Sequence, residues 1–255
     1  MKLKRNVSLA KLTTFKTGGR AKYFAEVKTK DGLKEALTAA REKELPFFIL
    51  GGGSNVLFKD EGFAGLVIKV GFKGIQFKKE KSGKFLAIAG AGEDWDRFVG
   101  RTVVKGFCGL ENLSGIPGTI GASPIQNIGA YGREAKDFIR WVEVFDAKNG
   151  KFFRLKKKEC LFGYRDSIFK KPAGKNYIVT EVAYSLSRKG RLDLKYKDLS
   201  EYFSGRNSLS PSAAAVRRAV LEIRGRKLPD WKRFGTAGSF FKNPMISGPR
   251  FKALK

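Results

Sequence analysis

The amino-acid sequence predicts a chain of mixed strands and helices, and three observations lead there. The first third alternates apolar strands with stretches of helical period, one of those strands empties into a glycine-rich turn, and an Asn149-Gly150 pair separates two apolar runs. In order, Asp31 is placed to cap a helix whose apolar positions Leu33, Ala36, Leu37 and Ala40 share one face, and Pro46 ends it. Residues 47–50 follow as an apolar strand that runs straight into Gly51-Gly52-Gly53-Ser54-Asn55. Further strands are expected at 65–70 and 85–89. Trp95, Phe98, Val99, Thr102 and Val103 recur at helical spacing, as a core-facing stripe does. Residues 141–145 and 151–155 flank Asn149-Gly150 as a hairpin, because both turn residues tolerate positive φ, and a strand at 177–186 follows. Residues 188–191 and 205–208 read as linkers, and Ser210-Pro211 opens a helix carrying Val216, Val220 and Ile223 on one face. A domain boundary is therefore expected near residue 208.

Composition narrows the class. At 255 residues the chain can bury a sizeable core, as one large domain or several smaller ones. No apolar run approaches the ~20 residues that cross a bilayer, and the opening Met-Lys-Leu-Lys-Arg-Asn is followed by no apolar signal core. A cytoplasmic protein with no membrane partner is expected. Cys108 and Cys160 lack metal-ligand or Cys-x-x-Cys spacing, so neither a metal site nor a disulfide framework is expected. The net charge of +28 invites a nucleic-acid partner. The basic residues are scattered, however, with short runs only at 2–5, 78–81 and 156–158, and the glycine-rich segments are nearly free of them. No nucleic-acid partner is expected. The chain has no histidine, so proton transfer falls to Ser, Tyr, Lys, Cys or a carboxylate, and a histidyl-linked flavin is impossible.

Residues 109–132 hold six glycines and a single charged side chain, in a chain that is 30% charged. Glycine lets backbone N–H groups approach a ligand closely, and successive N–H groups in tight turns form anion-binding nests. Asn112, Ser114, Thr119, Ser123, Gln126 and Asn127 interleave these glycines and supply neutral hydrogen-bonding groups. The belt reads as a cradle for a large, partly anionic cofactor, with tight turns between packed strands as the alternative. Gly51 to Asn55 reads as a diphosphate loop, since a strand emptying into a glycine turn aims several donors at one anion. Its spacing matches neither a Walker loop nor Gly-x-Gly-x-x-Gly.

Three further clusters carry polar chemistry. Arg165, between aromatic and apolar neighbours in Phe162-Gly-Tyr-Arg-Asp-Ser-Ile-Phe-Lys170, is costly to bury unless its planar fork meets a carboxylate or phosphate. A structural ion pair and a ligand contact both remain open. The basic run Arg224-Gly-Arg-Lys-Leu-Pro-Asp230 suits either a solvated helix C-terminus or a diphosphate. In Gly235-Thr-Ala-Gly-Ser-Phe-Phe-Lys-Asn-Pro244, Ser239 follows small residues and precedes an apolar wall, but without a histidine base no hydrolase triad is possible.

Seven segments, 14–19, 49–58, 89–93, 109–132, 162–170, 227–230 and 235–244, resemble the motifs of the UDP-N-acetylenolpyruvoylglucosamine reductase (MurB) family, in the family's order and over nearly the whole chain. The resemblance implies an α+β chain, an FAD-binding fold of the vanillyl-alcohol-oxidase type with α+β subdomains at 1–72 and 73–208, followed by an α+β substrate domain of which 209–255 is the incomplete start. It is most similar to the longer-loop subclass. It implies non-covalent FAD, NADPH as reductant, UDP-N-acetylglucosamine enolpyruvate as substrate, UDP-N-acetylmuramate as product for peptidoglycan synthesis, and action as a monomer.

Residue by residue, the implied cofactor contacts are Gly51, Gly52, Gly53, Ser54 and Asn55 from the first loop. From the belt they are Asn112, Gly115, Ile116, Pro117 and Gly118, then Gly121, Ala122, Ser123, Gln126 and Asn127, and finally Gly129, Ala130, Tyr131 and Gly132. Ser239 matches the general acid that protonates the enol carbon, and Arg165 the residue that steadies the substrate carboxylate. Tyr164, Lys227 and Asn243 match substrate contacts, and Tyr196 the tyrosine that closes over the nucleotide. The family's substrate domain continues past this point to a catalytic glutamate that no residue here matches. The expectation is therefore a C-terminally truncated member, loosely packed over 209–255, that binds FAD and reduces the sugar nucleotide feebly or not at all. The alternatives are a flavoprotein of the same fold with another substrate, a relative that only holds FAD, and a basic nucleic-acid-binding protein.

Overall fold

The computed structural model describes residues 2–190, 192–204 and 211–254. The first sheet holds β1 (Lys4–Ser8), β2 (Arg20–Val27), β3 (Phe47–Leu50) and β4 (Phe63–Val70), in the order β1-β2-β4-β3. β1 and β2 are antiparallel, whereas β4 runs parallel to both β2 and β3. Strands that run parallel in one sheet need a crossover, and α1 (Lys30–Glu42) supplies it between β2 and β3, which flank β4. α1 buries Leu33, Ala36, Leu37 and Ala40 as its periodicity predicts. Its N-cap is Thr29, whose hydroxyl accepts from the Gly32 amide at 3.1 Å, rather than Asp31. Asp31 sits in the first turn, where a carboxylate still meets the positive end of the helix dipole.

The second sheet is antiparallel, in the order β10-β9-β11-β6-β5. Its strands are β5 (Ile75–Lys79) and β6 (Phe85–Gly90), then, beyond α2 (Trp95–Val104) and the two-residue strands β7 (Gly129–Ala130) and β8 (Arg133–Glu134), β9 (Ile139–Asp146), β10 (Lys151–Lys156) and β11 (Tyr177–Leu186). The β9–β10 turn is looser than a two-residue hairpin. Asp146 organises it, accepting from the Lys148 amide at 2.9 Å and from Asn149 Nδ2 at 2.6 Å. Only Gly150, at φ 69°, takes a left-handed conformation there. The two edge strands carry Lys78 and Lys79 on β5 and Lys151 and Lys156 on β10. Charged edges of this kind oppose strand-to-strand association, which gives part of the basic composition a structural reason.

One apolar core joins the two sheets. Ala25, Leu66 and Ile68 of the first pack in the same cluster as Val142, Val144, Val182 and Tyr184 of the second, with Trp95, Phe98 and Val99 of α2. A smaller cluster on the opposite side of the first sheet holds Leu9, Phe24, Leu50, Phe58 and Val67. Beyond the sheets lie α3 (Lys197–Phe203), α4 (Ala213–Lys227) and α5 (Gly248–Ala253). α4 starts at a Ser212 cap and packs Val216, Val220 and Ile223 on Leu199 of α3. This helix is well packed, against the expectation for 209–255, whereas residues 229–254 are exposed apart from Thr236. The expected boundary at 208, the 205–208 linker, the Ser210 helix start and Arg191 lie outside the described residues.

Candidate functional site

The two glycine-rich segments meet across a cleft of about 1500 Å³, lined by the β3–loop junction, the start of α2, the belt, the Arg165 loop, the end of α4 and residues 236–242. That exceeds the ~300–1,000 Å³ typical of a single drug-sized ligand. The walls interlock through short-range contacts. Ser54 Oγ donates to the Pro117 carbonyl at 2.9 Å, and Asn55 Nδ2 donates to Gln126 Oε1 at 3.1 Å. A Cβ on Gly52 would lie 2.7 Å from Gly118 Cα, so the two backbones approach as closely as only glycine allows.

Backbone hydrogen bonds lace the belt to the β6–α2 junction. Gly121 donates to Ala91 O at 2.8 Å, Ile120 to Glu93 O at 2.9 Å and Trp95 to Gly118 O at 3.1 Å. The buried Trp95 indole adds a bond to Leu113 O at 2.7 Å, which makes α2 a rigid support for the belt. Thr119 Oγ1 is buried with no hydrogen-bond partner, an unsatisfied acceptor and donor within the wall. A side-chain-free cradle with an orphaned hydroxyl suits a ligand that carries phosphates and a polar ring edge.

Of the residues expected to hold a cofactor, Gly51 to Asn55, Gly115 to Gly118, Gly121, Ala122, Ser123, Gln126, Gly129 and Ala130 line the cleft. Asn112, Asn127, Tyr131 and Gly132 do not. Asn112 is fully buried behind the wall, where Nδ2 donates to Tyr131 O at 2.9 Å and Asp193 O at 2.8 Å. Asn127 Nδ2 donates to Gly163 O at 2.9 Å and its Oδ1 accepts from the Lys136 amide at 2.9 Å. Both amides tie loops together from outside the cleft, as buried amides do when carbonyls are within reach. Ser123 Oγ donates to Ile120 O at 2.8 Å and shares a 2.6 Å bond with the buried Tyr184 hydroxyl, whose ionisation burial pushes far up.

Arg165 lies on the cleft wall with φ 53°, beside Asn127 at 46° and Tyr131 at 47°. Such left-handed backbone in non-glycine residues is held only where surroundings over-determine it, and it gathers at functional sites. Arg165 Nη2 donates to Gly129 O at 2.7 Å, and its guanidinium stands 5.7 Å from the Tyr164 ring. Among the described residues no carboxylate pairs with it, so the ion-pair alternative is not the one adopted. Ser239 lines the same cleft, on an exposed turn.

The remaining expected substrate contacts are not brought to the wall. Lys227 Nζ donates to Asp198 Oδ2 at 2.7 Å, and that hydrogen bond raises its pKa. Tyr196 packs edge-on against Tyr131 at 5.3 Å. Tyr164 has Lys242 Nζ 5.4 Å from its ring centre, and Asn243 is exposed.

Sequence reasoning missed several supports. Asp96, in the first turn of α2, accepts from both Arg217 terminal nitrogens at 2.5 and 2.9 Å and from the Gly115 amide at 2.6 Å. Burial pushes the Asp96 pKa up, but these hydrogen bonds and the charges of Arg217 and Arg224 outweigh it and hold the carboxyl below its ordinary value. Arg224, read earlier as either a helix end or a diphosphate contact, is on the cleft wall, its pKa lowered by burial.

Comparison with known proteins runs the same way as the geometry. Residues 21–156 match the family model described as "FAD binding domain". That segment spans the first glycine loop and the whole belt, and the two-sheet architecture is the FAD-binding fold of the vanillyl-alcohol-oxidase type. A protein of Ralstonia nicotianae named UDP-N-acetylenolpyruvoylglucosamine reductase is 42% identical over 249 residues, covering 96% of this chain and 72% of its own length. One of the same name from Chromobacterium violaceum is 41% identical over 257 residues, 100% of this chain and 74% of its own. The crystal structure of the Thermus caldophilus reductase superposes with a TM-score of 0.71 at 29% identity, over 100% of this chain and 80% of that one. With a cradle of this form and identity of this extent, the chain belongs to the UDP-N-acetylenolpyruvoylglucosamine reductase family.

Proposed function

We propose that this protein is a cytoplasmic, NADPH-dependent flavoenzyme that reduces the enolpyruvyl double bond of UDP-N-acetylglucosamine enolpyruvate, giving UDP-N-acetylmuramate. The observation that carries the reading is that Arg165, free of any carboxylate partner among the described residues, and Ser239 line the same cleft as the glycine cradle. FAD bound there supplies the two-electron hydride transfer between NADPH and the double bond. The binding is non-covalent in this reading, since the chain has no histidine and neither cysteine lines the cleft.

The chain's own residues hold, orient and protonate. Gly51 to Asn55 and the Ile116, Gly118 and Thr119 amides offer backbone donors to the cofactor, and Thr119 adds its unsatisfied hydroxyl. Reduction of a double bond beside a carboxylate loads negative charge onto the carboxylate side, and the Arg165 guanidinium lowers the barrier by meeting it there. Ser239 delivers the proton that the enol carbon takes up, for which position matters more than acidity. Tyr164 and Asn243 flank the sugar nucleotide. Lys227 and Tyr196 contact it after leaving Asp198 and Tyr131.

The test is an anaerobic titration. NADPH bleaches the flavin of the FAD-loaded protein, and the enolpyruvyl sugar nucleotide restores its colour in a single turnover. Bleaching by NADPH with no return of colour on adding that substrate would contradict the proposal.

A further inference from the structure

Residues 12–16 join the cleft wall, which Thr14 itself lines, to the segment that carries Ser239. On one side this loop presses on the cofactor cradle: Thr14 N donates to Gly53 O at 3.0 Å. A Cβ on Gly53, which has φ 68°, would lie 1.9 Å from Leu12 O, so the two backbones are in direct contact. On the other side the loop meets the segment that leads into Ser239. Thr236 N donates to Thr14 O at 3.0 Å, and the buried Thr14 hydroxyl donates back to Thr236 O at 3.4 Å. Gly235 is fitted against it too, since a Cβ there would stand 2.4 Å from Phe15 O. Lys16 completes the clasp. Its Nζ donates to Lys232 O at 2.8 Å and to Arg233 O at 2.9 Å.

These two carbonyls end a short turn in which the Arg233 and Phe234 amides both donate to Asp230 O. A cation placed on the free carbonyls of such a turn acts as a C-cap. Among the described residues, 229–254 are exposed apart from Thr236, and the hydrogen bonds to Thr14 and Lys16 are what fix the Ser239 segment to the body of the protein.

We infer that residues 12–16 form a strut that sets the Ser239 segment at a fixed distance from the cofactor cradle, with Lys16 as a positioning residue. The catalytic consequence rests on the reductase reading above; the mechanical one does not. Lys16 has φ 59°, and both test variants leave that backbone demand unchanged. Lys16→Met removes the two carbonyl contacts, whereas Lys16→Arg keeps a cationic donor in reach of them.

The experiment uses the full FAD-loaded chain and two readouts. Amide hydrogen exchange over residues 231–240 should rise roughly ten-fold or more in Lys16→Met, with exchange over β2, β4 and β11 unchanged and Lys16→Arg close to wild type. In single turnover, Lys16→Met should slow reoxidation of NADPH-reduced flavin by the enolpyruvyl substrate by roughly ten- to hundred-fold, the scale of a misplaced catalytic group. Its rate of reduction by NADPH should not change. Wild-type exchange at 231–240 in Lys16→Met overturns the strut, and equal losses in both half-reactions overturn the positioning role. If exchange rises as expected but wild type is itself not reoxidised by the substrate, the reductase reading fails and the strut stands.

Discussion

Arg217 on α4 grips Asp96 on α2 with both terminal guanidinium nitrogens, at 2.5 and 2.9 Å, across a sequence separation of 121 residues. The same carboxylate oxygen that takes the shorter bond also accepts the Gly115 amide at 2.6 Å. One acid thereby joins α4, the support helix α2 and the glycine belt. Replacing Arg217 with Ala strips two charged hydrogen bonds from a half-buried carboxylate, a loss of about 1.5–3 kcal/mol in stability. The urea midpoint should fall accordingly, and FAD affinity should fall with it because Gly115 loses its anchor. An unchanged midpoint would show the pair to be ornamental.

The pH dependence of this pair has a definite sign. The folded-state pKa of Asp96 lies below its ordinary value of 3.8, so the stability it confers is fully present above that value and disappears as pH falls through the lower, folded-state value. The stability difference between wild type and Asp96→Asn should be constant from neutral pH to about pH 5 and narrow below about pH 4. A gap that instead widened on acidification would contradict the assignment.

Gly52→Ala places a methyl group 2.7 Å from Gly118 Cα, against backbone that cannot swing aside as a side chain does. Forcing the loops apart costs about 1–3 kcal/mol, and the cofactor cradle lies between them. We expect the variant to fold and to bind FAD at least roughly ten-fold more weakly, since ten-fold corresponds to about 1.4 kcal/mol. Titrating apo-protein with FAD and following flavin fluorescence checks this.

Ser239→Ala and Arg165→Met should separate the two half-reactions. Loss of a general acid costs about 10²–10⁴ in rate, and loss of a charge-stabilising donor about 10²–10³. Both losses should appear in reoxidation by the enolpyruvyl substrate, with FAD affinity and reduction by NADPH left near wild type. Arg165→Lys should recover little, because one ammonium does not reproduce the planar fork that donates to Gly129 O at 2.7 Å.

What the sequence made legible was what local chemistry decides. The α1 stripe of Leu33, Ala36, Leu37 and Ala40 and the α2 stripe around Trp95 follow from periodicity alone, and the strand at Tyr177–Leu186 has the expected bounds. Helix starts were less legible. Asp31 reads as a cap, yet the cap is Thr29, because acidic and hydroxyl residues both favour positions near a helix N-terminus. Within the belt, composition marks the cradle but does not say which polar groups face inward. Asn112 and Asn127 turn outward to brace neighbouring carbonyls, while Thr119 turns into the wall. The Arg217–Asp96 grip and the Thr14–Thr236 pairing join residues 121 and 222 positions apart. No window of sequence contains both partners, so only the fold discloses them.

The central claim is that the belt and the Gly51–Asn55 loop together hold FAD. The absorption spectrum of the purified chain, after incubation with excess FAD and removal of unbound cofactor, tests it most directly. The account predicts a yellow protein with flavin bands at one FAD per chain, and a colourless protein after that treatment would contradict it.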